Sequence, residues 1–385
     1  MCSSDLLMRS FSWLVRSSLV ALTLASGCKS MPVRRLPDLL LPGDPLLHGQ
    51  VRAALANMRA TIRIAAGPSQ LARPDGYVYT VDVAQLLNYA TLTSDSTLYW
   101  PLREFAIRKL LSDTVADPYT RGFVRWRYKD GSLPDASSTT EAVRVAEALW
   151  AGAHVFGDSV ARTISVLMLH GYARHAYEEH GIWLIRNYFN FQTRTFASNS
   201  FLVNYDPDFI LRVARATADS TLLDVAQRSA KLVVDAVSPS GLLYEVIQPE
   251  ILTALPALTR PVFGPNDIIS ALNSCTVAER TAESNPAIGR RVLEFMRHHA
   301  RENALYFYGR TGEPVKEDDL RLSPMACLLR LSLKLGSGGD ATHWAKEMVG
   351  LLGRTHRGGT PLDLYTTTEV LSALVVADRW MEGQP

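Results

Sequence analysis

What most limits the folds open to this chain is a turn that returns about every 60 residues. An acid followed by a small or hydroxyl residue occurs at Asp95-Ser96-Thr97, Asp158-Ser159, Asp219-Ser220-Thr221, Glu283-Ser284 and Asp340-Ala341. Such side chains accept hydrogen bonds from the first free N–H groups of a helix, so each turn reads as a helix start. Amphipathic sequence follows, as in the run from Leu222 to Val233. Helical periodicity marks roughly twelve segments. They lie near 48–66, 80–92, 96–112, 139–155, 158–178, 207–218, 220–236, 266–282, 286–302, 323–335, 341–353 and 364–381. A unit of two helices repeated about six times closes into a ring more naturally than it forms a four-helix bundle. The expected fold is therefore all-α, an (α/α)6 toroid of six helical hairpins. With 47% hydrophobic and 20% charged residues over 385 positions, the chain can bury so large a core in one domain.

Three stretches have strand character: Gly122 to Tyr128, Gly241 to Ile247, and Ala304 to Tyr308. They fall between hairpins and are expected as short β insertions at one end of the ring. Loops held by a rigid scaffold carry function, so a cleft is expected at that end.

The first residues carry Arg9 and Arg16, an apolar stretch from Ser18 to Ala25, then Ser26, Gly27 and Cys28. This order reads as a secretory signal, too short to span a membrane. Ala25-Ser26-Gly27-Cys28 resembles a bacterial lipobox, which implies acylation of Cys28 and loss of residues 1–27. Lys29 after the cysteine resembles lipoproteins sent to the outer membrane, so the expected location is the cell envelope, on the periplasmic face of that membrane or at the cell surface. Residues 28–47 are rich in proline, with Pro32, Pro37, Pro42 and Pro45, and read as a tether before a toroid domain over 48–385. In the folded part only Cys275 and Cys327 then remain, as a disulfide or as two buried thiols. A net charge of +2 without basic blocks argues against a nucleic-acid partner.

No phosphate loop, dinucleotide fingerprint, zinc-protease motif or serine elbow occurs, and the nine histidines are scattered. No cofactor or metal is expected. What remains is carboxylates among aromatics: Asp82, Asp135, Glu141, Glu245 and Asp267, near Trp126, Trp183, Tyr188, Tyr205, Tyr244 and Tyr306. Flat rings stack on sugar faces while acids protonate or position oxygens. Asp82, Glu141 and Asp267 also stand in first helical turns, where acids are favoured for stability alone.

The order of segments from about 75 to 380 resembles glycoside hydrolase family 8. Thr80-Val81-Asp82-Val83-Ala84-Gln85, followed by Ser94-Asp95 and Trp100, is similar to the family's first motif, in which a Ser-Glu-Gly-Gln segment carries the catalytic acid. Pro134-Asp135 through Glu141 resembles its Ala-Thr-Asp-Ala-Asp helix, Asn204-Tyr205-Asp206-Pro207 falls at its Asn-Pro-Ser-Tyr, Gly241 through Glu245 at its Gly-Leu-x-Pro-Asp turn, and Gly264-Pro265-Asn266-Asp267 at its Tyr-Asp-Ala motif, where many members place the general base. The resemblance implies Asp82 as proton donor, Asp267 as base or water-positioning group, and Glu141 beside them. Trp126, Asp135, Tyr188, Tyr205, Glu245 and Arg186 are the expected sugar-binding residues. Two departures stand out: the family's Glu is Asp82, one methylene shorter, and Thr139 and Glu141 replace the two aspartates of the second motif.

Three functions stay open on this reading. The first is a monomeric, lipid-anchored hydrolase of an envelope or extracellular polysaccharide. The second is a non-catalytic glycan-binding or assembly lipoprotein of an exopolysaccharide system. The third is a polysaccharide lyase, which needs a Tyr or His base beside a neutralising cation such as Arg186, Arg194 or Arg212.

Overall fold

The computed structural model describes residues 44–61, 71–112, 117–179, 182–251, 259–263, 268–299, 306–317, 321–358 and 362–383. Cys28 and Asp267 lie outside these residues. The expected toroid is present. The described residues hold twelve α-helices: α1 (Pro45–Thr61), α2 (Thr80–Thr93), α3 (Ser96–Phe105), α4 (Thr139–Phe156), α5 (Ser159–Ala173), α6 (Pro207–Thr217), α7 (Ser220–Asp235), α8 (Ala271–Arg280), α9 (Pro286–His299), α10 (Leu322–Lys334), α11 (Gly338–Gly358) and α12 (Leu364–Met381). The even-numbered helices form the inner wall and the odd-numbered ones the outer. Along the inner wall α2 packs on α4, α8 on α10, α10 on α12, and α12 back on α2. Between α4 and α8 the 3-10 turn Leu202–Asn204 packs against both helices on the inner side.

The repeating turns do what their side chains dictate. Asp95 accepts from the N–H groups of Thr97 and Leu98, Asp158 from Ala161 and Asp219 from Leu222. Each caps an outer helix. The preceding inner helices end on left-handed residues Ser94, Gly157 and Ala218, which turn the chain back within two residues. At the fourth turn Glu283 caps nothing; Asp208 of α6 accepts from the N–H groups of Glu283 and Ser284 instead and ties two hairpins together.

Closure of the ring is made by α1, α12 and α2. His48 Nε2 and Arg52 Nε reach Asp378 at 2.8 and 2.9 Å, and Arg379 donates to the carbonyl of Leu92 at 2.6 Å. Helix α1 begins at Pro45, three residues before the expected domain start, because Asp44 accepts from the N–H groups of Leu46 and Leu47.

Short inner-to-outer turns leave all longer connections at the other end, where the inner helices begin. Every described strand lies there. β1 (Val78–Tyr79) pairs with β4 (Arg127–Tyr128), β2 (Leu111–Ser112) with β3 (Phe123–Val124), β5 (Ala176–Glu179) with β6 (Ile182–Ile185), and β7 (Phe189–Asn190) with β8 (Thr195–Phe196). β9 (Ser200–Phe201), β10 (Val246–Ile251) and β11 (Thr259–Phe263) form one three-stranded sheet; β12 (Ile269–Ser270), β13 (Tyr306–Tyr308) and β14 (Pro314–Glu317) form another. The hairpin β5–β6 corrects the expectation of helix to residue 178, since α5 ends at Ala173. Cys275 and Cys327 are both buried and unbridged. No described helix is long and apolar enough to cross a membrane.

Candidate active site at the inner-helix N-termini

Six inner helices start at one end, so their positive dipole ends face a common region and favour acids there. Asp82 is the third residue of α2, and its helix start is pinned from outside: Thr80 N–H donates to the Trp126 carbonyl at 3.0 Å and Thr80 Oγ1 to the Arg125 carbonyl at 2.6 Å. The pairing of Tyr79 with Arg127 sets Trp126 beside it, with the Tyr79 and Trp126 rings edge to face at 5.4 Å. The Asp82 carboxylate is buried and receives both Arg73 nitrogens, Nε at 2.9 Å and Nη2 at 2.8 Å. Arg73 itself lies over the Tyr79 ring at 4.3 Å. Burial raises the Asp82 carboxyl above its ordinary value; the Asp363 charge adds to the rise, and Arg73 opposes it.

Around Trp126 a second cluster forms. The indole N–H donates to Asp135 Oδ1 at 2.8 Å, and Arg127 reaches Asp135 Oδ2 through Nε at 3.0 Å and Nη2 at 2.8 Å. The Arg127 guanidinium is sandwiched by rings, 4.0 Å from Tyr77 and 4.2 Å from Trp126. The result is an aromatic and charged wall next to Asp82, with Trp126 and Asp135 half-buried.

Glu141 is the third residue of α4, beside α2. Ser138, the residue before the helix, donates its hydroxyl to Glu141, so this acid is in part a helix-start device. Glu245 accepts from Asn273 Nδ2 at 2.6 Å, and Asn273 is the third residue of α8. Burial raises the Glu245 carboxyl, with Asn273 opposing. Asp82, Glu141 and Glu245 are thus each tied to the first turn of an inner helix.

One expected sugar contact, Tyr205, is corrected. Tyr205 is fully buried, its hydroxyl accepting from Ile185 N–H at 2.8 Å and bonded to Ser200 Oγ at 2.8 Å, so it braces the loops from within. Arg186 donates to the carbonyls of His175 and Ala176, both at 3.3 Å, and stacks 3.7 Å from Phe196; it holds β5 to its neighbours. Tyr188 is exposed and free to meet a ligand.

The sequence reading missed Arg73, Arg127, Asn273 and Asp363. A signal for Arg73 existed: Pro74-Asp75-Gly76 is a turn sequence, and the Gly76 N–H to Arg73 carbonyl bond closes that turn at 2.8 Å. It folds Arg73 back onto the strand that leads into α2. Among the described residues one cluster, His48, Asp378 and Glu382, has the spacing of metal ligands. Arg52 already contacts both of its carboxylates, which leaves little need for a second cation.

No family model matches the chain, and no curated protein matches it in sequence. Solved structures do match in shape. An alpha-amylase from Clostridium perfringens superposes with a TM-score of 0.63 at 12% identity, covering 86% of this chain and 98% of that one. Rex8A from Paenibacillus barcinonensis, complexed with xylose, gives 0.60 at 15% identity over 86% and 94%. PssZ from Listeria monocytogenes gives 0.57 at 12% identity over 80% and 88%. At such identities the likeness establishes the architecture, and the chain has the (α/α)6 fold that these proteins share.

Proposed function

We propose that this protein is a glycoside hydrolase-like enzyme, lipid-anchored at Cys28 in a bacterial envelope, that cleaves an envelope or extracellular polysaccharide. The observation that carries the reading is Asp82: a buried acid with a raised pKa, at the start of an inner helix, beside the wall of Tyr79, Trp126 and Asp135. A carboxyl whose pKa is raised by burial keeps its proton to higher pH than an exposed one, and a protonated carboxyl can give that proton to a glycosidic oxygen as the bond to the sugar breaks. Asp267 is assigned as the base that activates the attacking water, which requires the two carboxyls to stand about 6.5–9.5 Å apart. Solved neighbours named as an alpha-amylase and as a xylose complex support a sugar substrate. The protein is expected to work as a monomer without cofactor.

A second reading is favoured by one contact. The bidentate grip of Arg73 on Asp82 suits a protein that keeps the ring and binds glycan without cleaving it. A screen of the protein against polysaccharides, scored for reducing ends and for unsaturated products, separates the readings. Reducing ends alone support hydrolysis; ultraviolet-absorbing products point to a lyase, and binding without products to the second reading. For the anchor, Cys28→Ala should abolish labelling with palmitate and release the protein from membranes; unchanged labelling contradicts lipid attachment.

A further inference from the structure

Below the sugar-facing end, the axis of the ring is crossed by a polar layer. Gln85 donates to Glu369, Arg330 pairs with Glu369 at 2.7 Å, and Arg330 also grips Glu279 through Nε at 3.0 Å and Nη2 at 3.1 Å. Beyond this layer, toward the C-terminal ends of the inner helices, lies a cavity of about 580 Å³. That volume falls in the range of small-molecule sites.

Its walls are unlike an apolar core. Arg144, Arg212, Arg280, Arg330, Lys334 and Arg379 line it, against four carboxylates. Most of these charges are accounted for. Arg330 is held by Glu279 and Glu369, Arg280 stands 3.5 Å from Asp206, Arg212 is 2.7 Å from Glu283, and Lys334 is 3.5 Å from Glu283. Among the described residues Arg144 and Arg379 have no carboxylate within ion-pair distance. Arg379 meets the Leu92 carbonyl, and Arg144 meets the neutral Tyr365 hydroxyl at 3.5 Å. Arg144 is only 8% exposed, and its Nε has no hydrogen-bond partner. Asp206 Oδ2 and Ser372 Oγ in the same walls also have none. Burial, with the Glu147 charge adding, pushes the Asp206 carboxyl up, and Arg280 opposes the rise.

Buried cations are ordinarily matched by an anion. We infer that the axial cavity is a second ligand site, separate from the sugar-facing end, for a small hydroxylated oxyanion, a carboxylate or a phosphate, with Arg379 at its mouth and Arg144 its deepest cation. The hydroxyls of Thr276 and Ser372 and the amide of Asn88 supply partners for the ligand's own hydroxyls. The charges of Glu369 and Glu141 act on Arg144 from a distance, but an uncharged sugar would leave its Nε and the Arg379 guanidinium without an anion in direct contact.

The test is calorimetric titration of the full chain, in detergent, with glucuronate, inorganic phosphate, glucose 6-phosphate and, as a neutral control, glucose. Saturable binding of at least one anion is expected, with glucose at least tenfold weaker. Glucuronate binding alone assigns a carboxylate ligand, and binding of either phosphate compound assigns a phosphate. Arg379→Gln, at the mouth, should weaken the anion at least tenfold, and Arg144→Gln should abolish binding. If Arg144→Gln does not fold, Ser372→Ala together with Arg379→Gln serves in its place, with the same expected loss. Asp82→Asn should leave anion binding unchanged, so failure of the cleft as an enzyme site is distinguishable from failure of this proposal. No heat from any anion, or binding that ignores Arg379 and Arg144, overturns it and leaves a cavity filled by water.

Discussion

Burial and Arg73 pull the Asp82 carboxyl in opposite directions, and the balance decides whether it can act as a proton donor. Burial wins, so the pKa is raised. Arg73→Gln removes the lowering partner and should raise it further. A proton donor must be protonated, so the alkaline limb of kcat/KM should then move to higher pH. A pH–rate profile checks this, and an unmoved limb would mean that Asp82 does not set it. Asp82 and Glu141 were legible because acids at helix starts leave a pattern. Tyr205 was misread because a tyrosine that braces loops from inside and one that stacks on sugar look alike in sequence; only burial and the Ile185 bond separate them. The turn at Pro74-Asp75-Gly76 was legible around Arg73, but its contact with Asp82 was not, because that contact depends on the turn and a strand register together. Asp267 was named from the resemblance, and no described geometry bears on it.

Among the elements, the helices were the most legible part, since 3.6-residue periodicity and acid caps are local signals. The β insertions were less so. Their strands are short, and their pairing is set by contacts such as that of His175, which sits where α5 gives way to β5. His175 is buried, with Nδ1 3.0 Å from the Gly171 carbonyl and Nε2 3.0 Å from Ser137 Oγ. Ser137 Oγ in turn accepts from Phe189 N–H, so the ring fixes the loop that carries Asp135. The neighbouring backbone is equally tight: a Cβ on Gly171 would fall 2.1 Å from the Gly122 carbonyl oxygen. Burial pulls the His175 pKa down to about 3. Its contribution to stability is therefore present above the unfolded value of about 6.5 and is lost as pH falls from there toward 3. Against His175→Gln, which does not titrate, the wild type should lose about 1.4 kcal/mol per pH unit through pH 6 to 4, read from denaturant unfolding. Parallel pH dependence of the two proteins would contradict a neutral buried histidine.

For the whole molecule, the repeat made the ring legible, because units of this length must close on one another to bury their faces. Closure places Leu371, Leu374 and Val375 of α12 in the core between α1, α2 and α10. Burying each such side chain is worth about 1.5–3 kcal/mol, against a total stability of about 5–15 kcal/mol. A chain ending at Thr360 should therefore fail to fold cooperatively; a soluble truncation with an unchanged melting temperature would show that the ring does not depend on closure. The function was less legible, since one fold serves many chemistries and the site residues depart from the family pattern they resemble. With a polysaccharide from which the wild type is found to release reducing ends, the most direct measurement is the same release by Asp82→Asn, with folding checked by its melting curve. If Asp82 is the proton donor, the rate should fall by about 10²–10⁴ with the fold intact; activity within about threefold of wild type, well inside the range left when no acid catalyst is lost, would make Asp82 a structural partner of Arg73 and contradict the assignment.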